Sequence, residues 1–314
     1  MEQAYLVARQ VFLIFLYIAI GMICTKTGII EKKAGKSLSN FSLIIVTPAL
    51  IIRTFIRPMD NDTLVSFGLA FFLAFVYHAV ATIGVVILIK KREDVRYRIE
   101  RLGCIFSNCG YMAIPLITAT LGEKGTFYAV AFICVFNICV WPLGVSIITG
   151  EKQISIRKIF INPGIIGTAI GFVVYFSQIS PPAIFLEAMD NIVAFTTPLP
   201  MITTGIFLSG IKLKETITSF RIYYASFVRL IIFPVFMIAF IKIFHVTSWI
   251  PNAHDVVLAC ILGSACPAAT VATQFPARYG LDSEYGAKFI AVSTLLSIVT
   301  LPLVTFIVSI FLIT

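Results

Sequence analysis

Two apolar stretches of this chain carry residues that could hold a small anion inside a membrane. The first reads SNCGYMAIPLITATLG, from Ser107 to Gly122, and the second LGSACPAATVATQFPARYG, from Leu262 to Gly280. Both place Gly, Asn, Ser, Thr or Gln where a spanning helix normally carries Leu, and each is expected to be interrupted by its proline. Proline removes a helix hydrogen bond and crowds the preceding turn. In hydrocarbon the freed backbone groups must find another partner. Half-helix N-termini at such a break present unpaired N–H groups and a positive dipole end. They hold anionic groups without a lysine or arginine, whereas carbonyl-bearing ends can hold a cation. The candidate binding residues are Asn108, Cys109, Gly110 and Pro115 in the first stretch. In the second they are Ser264, Cys266, Pro267, Thr270, Thr273 and Gln274. Asn137, in the span after the first stretch, is added to them. Asn and Gln both donate and accept, which suits a carboxylate, a hydroxyl or Na⁺. The same small and polar residues also serve helix packing, and both readings stand at this point.

Ionisable residues inside apolar segments are candidates by default. Arg9, Arg53, Arg229, Glu187 and Asp190 all fall near a span's end on this reading. His78, in LAFFLAFVYHAVATIGVV, is placed centrally and is the one candidate for coupling; a packed, hydrogen-bonded histidine is the alternative. No Asp or Glu lies in the central part of the interrupted segments or the spans after them, so a carboxylate relay has no support. No phosphate-binding or dinucleotide fingerprint occurs. The seven cysteines lack metal-ligand spacing and read as small buried apolar residues. No metal, cofactor or enzyme activity is expected.

These residues need elements to position them. The chain is 314 residues long, 59% hydrophobic and 12% charged, with a mean hydropathy of +0.99. A soluble chain is nearer a quarter charged. A spanning helix needs about 20 mostly apolar residues. Ten stretches qualify, at roughly 6–28, 37–56, 63–89, 100–120, 125–149, 158–177, 186–210, 219–244, 254–275 and 285–312. The N-terminal stretch lacks a basic leader and reads as a span, not a cleaved signal.

The net charge of +9 is distributed by loop. With the N-terminus outside, the inner loops hold Lys32, Lys33, Lys36, Lys90, Lys91, Arg92, Arg96, Arg98, Arg101, Lys152, Arg157, Lys158, Lys212, Lys214, Arg221, Arg278 and Lys288. That is seventeen of the 24 basic residues, against Arg57, Lys124 and Lys242 outside. Cytoplasmic loops carry the Lys/Arg excess, so both termini are expected outside the cell membrane, and a nucleic-acid partner is not. Ten spans with both ends on one side divide as five plus five, which inverts the second half. Thr47-Pro48 matches Thr197-Pro198, Pro115 matches Pro267, and Asn137 before Pro142 matches Ser297 before Pro302. Paired broken helices in inverted repeats mark the binding site of many secondary transporters. Gly167 and Gly171 form a GxxxG in the sixth span, read as a contact within the monomer.

At these residues the chain resembles the auxin efflux carrier family, in its bacterial form. The resemblance rests on Asn108-Cys-Gly110 through Pro115-Leu116, on Asn162-Pro163, on Thr197-Pro198-Leu199, and on Arg229-Leu230 with Pro234. Ala277-Arg278-Tyr279-Gly280 and the run Ser293 to Leu303 complete it. It implies an all-α integral membrane protein of ten helices in two inverted five-helix repeats, 1–150 and 151–314. The fourth and ninth helices would be broken and crossed, as in the sodium/proton antiporter and bile-acid symporter type of fold. It also implies a scaffold of spans 1, 2, 6 and 7, a transport domain of spans 3–5 and 8–10, a homodimer in membrane lipid, and transport of small organic acid anions such as auxin, malate or malonate. Only about eight residues (150–157) separate the halves, so regulation through a long central loop is not expected. The alternatives are a Na⁺-coupled symporter of the same fold, a non-transporting receptor or scaffold and, third, a membrane enzyme.

Overall fold

The computed structural model describes residues 2–58, 60–150, 161–210 and 219–311. The boundary expected at 150/151 and the basic residues Lys152, Arg157, Lys158, Lys212 and Lys214 lie outside these. In chain order the helices are α1 (Glu2–Lys26), α2 (Ala34–Phe55), α3 (Asn61–Leu88), α4 (Arg96–Ile105), α5 (109–121) and α6 (123–149). They continue as α7 (Pro163–Ser177), α8 (Ala183–Leu208), α9 (Phe220–Ile243), α10 (Ala253–Ala265), α11 (Val271–Arg278) and α12 (Ser283–Phe311). Among the described residues, seven helices are long and apolar enough to cross a membrane, counting α5 and α6 together. α7 and α10 are shorter and equally apolar in character. The molecule is a multi-pass membrane protein, and large apolar side chains such as Phe12, Ile83, Val86 and Val299 cover its outside.

Local chemistry sets the boundaries. Asp60 caps α3, its carboxylate accepting from the Asp62 and Thr63 N–H groups. Asn162 caps α7 in the same way, with Pro163 at the first helical position, where its missing N–H costs nothing. Gly122 adopts φ 65° and ψ −155° and reverses the chain between α5 and α6. The Thr118 and Thr126 hydroxyls, eight residues apart, lie 2.7 Å from each other. In a continuous helix they would be about 12 Å apart along the axis.

Pro267 lies, as expected, in the interruption between α10 and α11, whereas Pro115 does not break its helix. Pro48, Pro115 and Pro234 each follow a π-helical turn, at Ser42–Val46, Cys109–Ala113 and Val228–Ile232. The extra residue in a π turn shifts the backbone register. That relieves the clash of the proline ring with the preceding turn and absorbs its missing donor.

Close backbone approaches fix two helix pairs. A Cβ on Gly21 of α1 would overlap the Ile202 carbonyl of α8, and one on Gly205 would overlap the Ile18 carbonyl. Gly167 lies against Pro48, where an added Cβ would stand 3.0 Å from its Cα, and Gly171 lies against the Phe55 ring. The GxxxG therefore packs α7 on α2 within the chain. A second group of helices, α3, α6 and α10, shares an aromatic and aliphatic core around Tyr77, Phe106 and Phe132. At one end of the bundle the buried Glu100 carboxylate accepts from Arg221 Nε at 2.8 Å and from the Tyr285 hydroxyl at 2.6 Å, tying α4, α9 and α12 together.

Candidate functional site

The two interrupted segments meet. Ser107 and Ala268 form an antiparallel bridge. The Asn108 N–H donates to the Pro267 carbonyl at 2.8 Å, and the Ala269 N–H donates to the Phe106 carbonyl at 3.0 Å. Ser293 on α12 steadies the join, its hydroxyl accepting from the Ala268 N–H at 3.2 Å. This exchange satisfies backbone groups that a break in hydrocarbon would leave orphaned. It also places the first interruption at 106–108, not at Pro115. The pairing partner, some 160 residues away in sequence, ends the helix; Pro115 sits in the second turn of α5.

Four helix ends converge here. α4 and α10 arrive with their carbonyl ends, and α5 and α11 leave with their N–H ends. In α5 the first helical hydrogen bonds return from Met112 and Ala113 to the Asn108 carbonyl. The N–H groups of Cys109, Gly110 and Tyr111 therefore precede the first helical bond. The Asn108 side chain forms no cap hydrogen bond and is 8% exposed. A Cβ built on Gly110 would meet nothing within 4 Å, so there is open space beside this residue.

Arg229 stands at the opposite pole. The tenth residue of α9, it is fully buried. Its guanidinium donates to the Cys266 carbonyl at 2.9 Å and the Cys104 carbonyl at 3.0 Å, and also to the Ser264 carbonyl and the Tyr77 hydroxyl. Arg229 stands nine residues, or about 14 Å, along the α9 axis from Phe220.

The charges at the join balance on one side only. A helix end carries roughly half an elementary charge. The carbonyl ends of α4 and α10 sum to about one negative charge, which the Arg229 guanidinium offsets. The N–H ends of α5 and α11 sum to about one positive charge, and no acidic side chain on either segment offsets it.

The remaining candidates divide. Cys266 and Ser264 contribute carbonyls to Arg229, and the Ser264 hydroxyl turns back to Ile261. Thr273 bonds the Thr270 carbonyl. Gln274 donates to the Ser39 hydroxyl at 2.9 Å, linking α11 to α2. Asn137 is used in packing: its amide donates to the Ile133 carbonyl and lies against Gly164 of α7. His78 is buried beside the rings of Tyr77, Phe106, Phe132 and Phe136, with Nδ1 2.8 Å from the Ala74 carbonyl and Nε2 without a partner.

A cavity of about 600 Å³ lies between α1, α2 and α8 on one side and α5 with the start of α6 on the other. Its lining includes Ile114 and Pro115, and Ile114 is six residues, or about 9 Å, along α5 from Asn108. Arg53, Arg57, Glu123 and Asp190 also line it. Arg53 pairs with Asp190 at 2.7 Å and does not snorkel freely. Arg57 stacks over Phe127 at 5.0 Å.

Known proteins match this chain throughout its length. The membrane transport protein family matches residues 6–155 and 152–305. A Rhizobium meliloti protein named "Putative malonate transporter" is 25% identical over 277 residues, covering 84% of this chain and 83% of its own length. An uncharacterized transporter of Methanocaldococcus jannaschii is 20% identical over 313 residues, covering 93% and 96% respectively.

Proposed function

The chain belongs to the membrane transport protein family, the auxin efflux carriers among them, and from that premise we propose that it is a secondary transporter of small organic acid anions, with malonate-like carboxylates the first class to test. The observation that carries the reading is the pairing of the two interrupted segments around Ser107 and Ala268. It brings the N-termini of α5 and α11 together with an asparagine side chain that makes no cap hydrogen bond and open space beside Gly110, with no acid on either segment to repel an anion. The substrate carboxylate docks on the N–H groups of Cys109, Gly110 and Tyr111 and on the Asn108 amide, and the α11 N-terminus at Thr270 contributes from across the join. A charge-assisted hydrogen bond to backbone N–H suits this geometry.

Ten spans in two inverted halves account for the order of helices, with α4–α5 and α10–α11 as the broken fourth and ninth. The cavity between α2, α8 and α5 is the entry route, and Arg57 meets the anion at its mouth. Alternating access follows when the unit containing α3–α6 and α9–α12 slides against α1, α2, α7 and α8. The Gln274–Ser39 hydrogen bond then breaks, because it joins the two units. The basic loops at Lys32–Lys36 and Lys90–Arg101 face the cytoplasm, with both termini outside, and the protein works as a homodimer. The direct test is flux of radiolabelled malonate, malate and auxin into proteoliposomes. A protein that binds these acids yet moves none of them is a receptor, and the reading fails.

A further inference from the structure

We propose that Arg229 occupies the place of a coupling cation, so that transport by this protein is independent of Na⁺. The inference deepens the transporter reading above and rests on it for its flux measurements. Three carbonyl oxygens, those of Cys104, Ser264 and Cys266, converge on one fully buried point. They come from the ends of two separate half-helices, α4 and α10, where the dipoles are negative. Unwound carbonyls and half-helix C-termini of this kind are what hold a transported cation in broken-helix carriers. Here the chain supplies its own cation. The Tyr77 hydroxyl adds a fourth oxygen, and the Tyr77 ring lies 5.5 Å from the guanidinium carbon.

No carboxylate pairs with Arg229 among the described residues; carbonyls and dipole ends alone compensate it. Its charge is therefore committed to the join and is not available to the substrate. Na⁺ entering this point would stand against a fixed positive charge with its oxygen ligands already taken. A hard cation needs several oxygens to replace its water, and the three convergent carbonyls are already bonded to the guanidinium. Removing the guanidinium should reopen the site to a mobile cation.

The experiment uses purified full-length protein. Wild-type uptake of malonate into liposomes is measured with an imposed Na⁺ gradient at fixed pH and voltage, with choline as control. Uptake should be the same in both; Na⁺-driven accumulation overturns the proposal. Arg229→Gly is then scanned for thermal stability and flux in millimolar guanidinium, Na⁺ or choline chloride. Flux should fall at least about tenfold, since several buried carbonyls lose their donor. Guanidinium should restore most of it and raise the melting temperature, and choline should do neither. An inward guanidinium gradient should also drive malonate accumulation in this variant alone, which a purely structural arginine does not predict. A folded Arg229→Gly that responds to no cation overturns the proposal. If that variant does not fold, Arg229→Lys decides: it should transport without Na⁺, and Na⁺-driven uptake by it is refuting. Should the wild type move no carboxylate at all, the substrate reading fails, and the stability scan still reads the cation site without any substrate.

Discussion

Replacing Asn108 with alanine should separate binding from stability. Asparagine at a helix N-cap usually stabilises by accepting from the second or third N–H of the helix, and its loss costs about 0.5–2 kcal/mol. Here the side chain makes no cap hydrogen bond. The cost to folding should therefore fall at or below the low end, about 0.5 kcal/mol. If the amide instead donates to a bound carboxylate, its loss leaves a desolvated anion short of a partner. That penalty is about 1–3 kcal/mol, or about 5- to 150-fold in Kd. Asn108→Asp sharpens the contrast. Aspartate is as good a cap, yet a second negative charge 4 Å from the substrate is worth about 4 kcal/mol of repulsion at an effective dielectric of 20. The assay is malonate binding by calorimetry on purified protein, with melting temperature recorded on the same samples. Well-folded Asn108→Ala and Asn108→Asp proteins that bind malonate as the wild type does would refute the site and move it away from the α5 N-terminus.

Gly205→Ala should destabilise the α1–α8 pair by about 1–3 kcal/mol, the usual cost of overpacking, because its Cβ meets a backbone carbonyl that cannot rotate away; an unchanged melting temperature would show the helices free to separate. His78→Gln should leave the pH profile of uptake unmoved, since the ring is buried among the Phe106, Phe132 and Phe136 rings; a shifted profile would restore His78 as the proton carrier. Asp60→Ala should lower the melting temperature at neutral pH. The Thr63 hydroxyl, with the Thr63 and Asp62 N–H groups, holds this carboxyl below its ordinary value of 3.8. A lowered pKa stabilises the fold above the unfolded value and loses that effect as pH falls through the folded one. The difference between variant and wild type should thus shrink below about pH 3.8; a constant difference would assign it to packing. Arg53→Ala should change stability by less than about 1 kcal/mol, because its pair with Asp190 is half exposed; a larger loss in a melting scan would show that the pair holds α2 to α8.

Much of this was legible locally. Runs of apolar residues located the helices to within a few positions, and the small polar residues around Asn108 and Ser264 marked the two segments that part from helical geometry. The position of the first break was not legible. A proline is visible in sequence, whereas the π turn that lets a helix carry it is not, and neither is a bridge to a strand-like segment 160 residues on. The burial of Arg229 was not legible for a related reason. Its partners come from elsewhere in the chain, the carbonyls of Cys104 and Ser264 lying 125 and 35 residues from it. Asn137 shows the converse: a polar residue in a repeated pattern served packing against Gly164.

The arginine at the join also sets an order for biogenesis. α9 must enter the bilayer carrying a charge that costs about 2.5–3.5 kcal/mol at a helix centre. Two of its partners, Cys104 and Tyr77, precede it in the chain. The Ser264 and Cys266 carbonyls follow 35 and 37 residues later, which at 5–20 residues per second is about 2–7 s of synthesis. During that interval, of the four partners of Arg229, only the Tyr77 hydroxyl and the Cys104 carbonyl have been made.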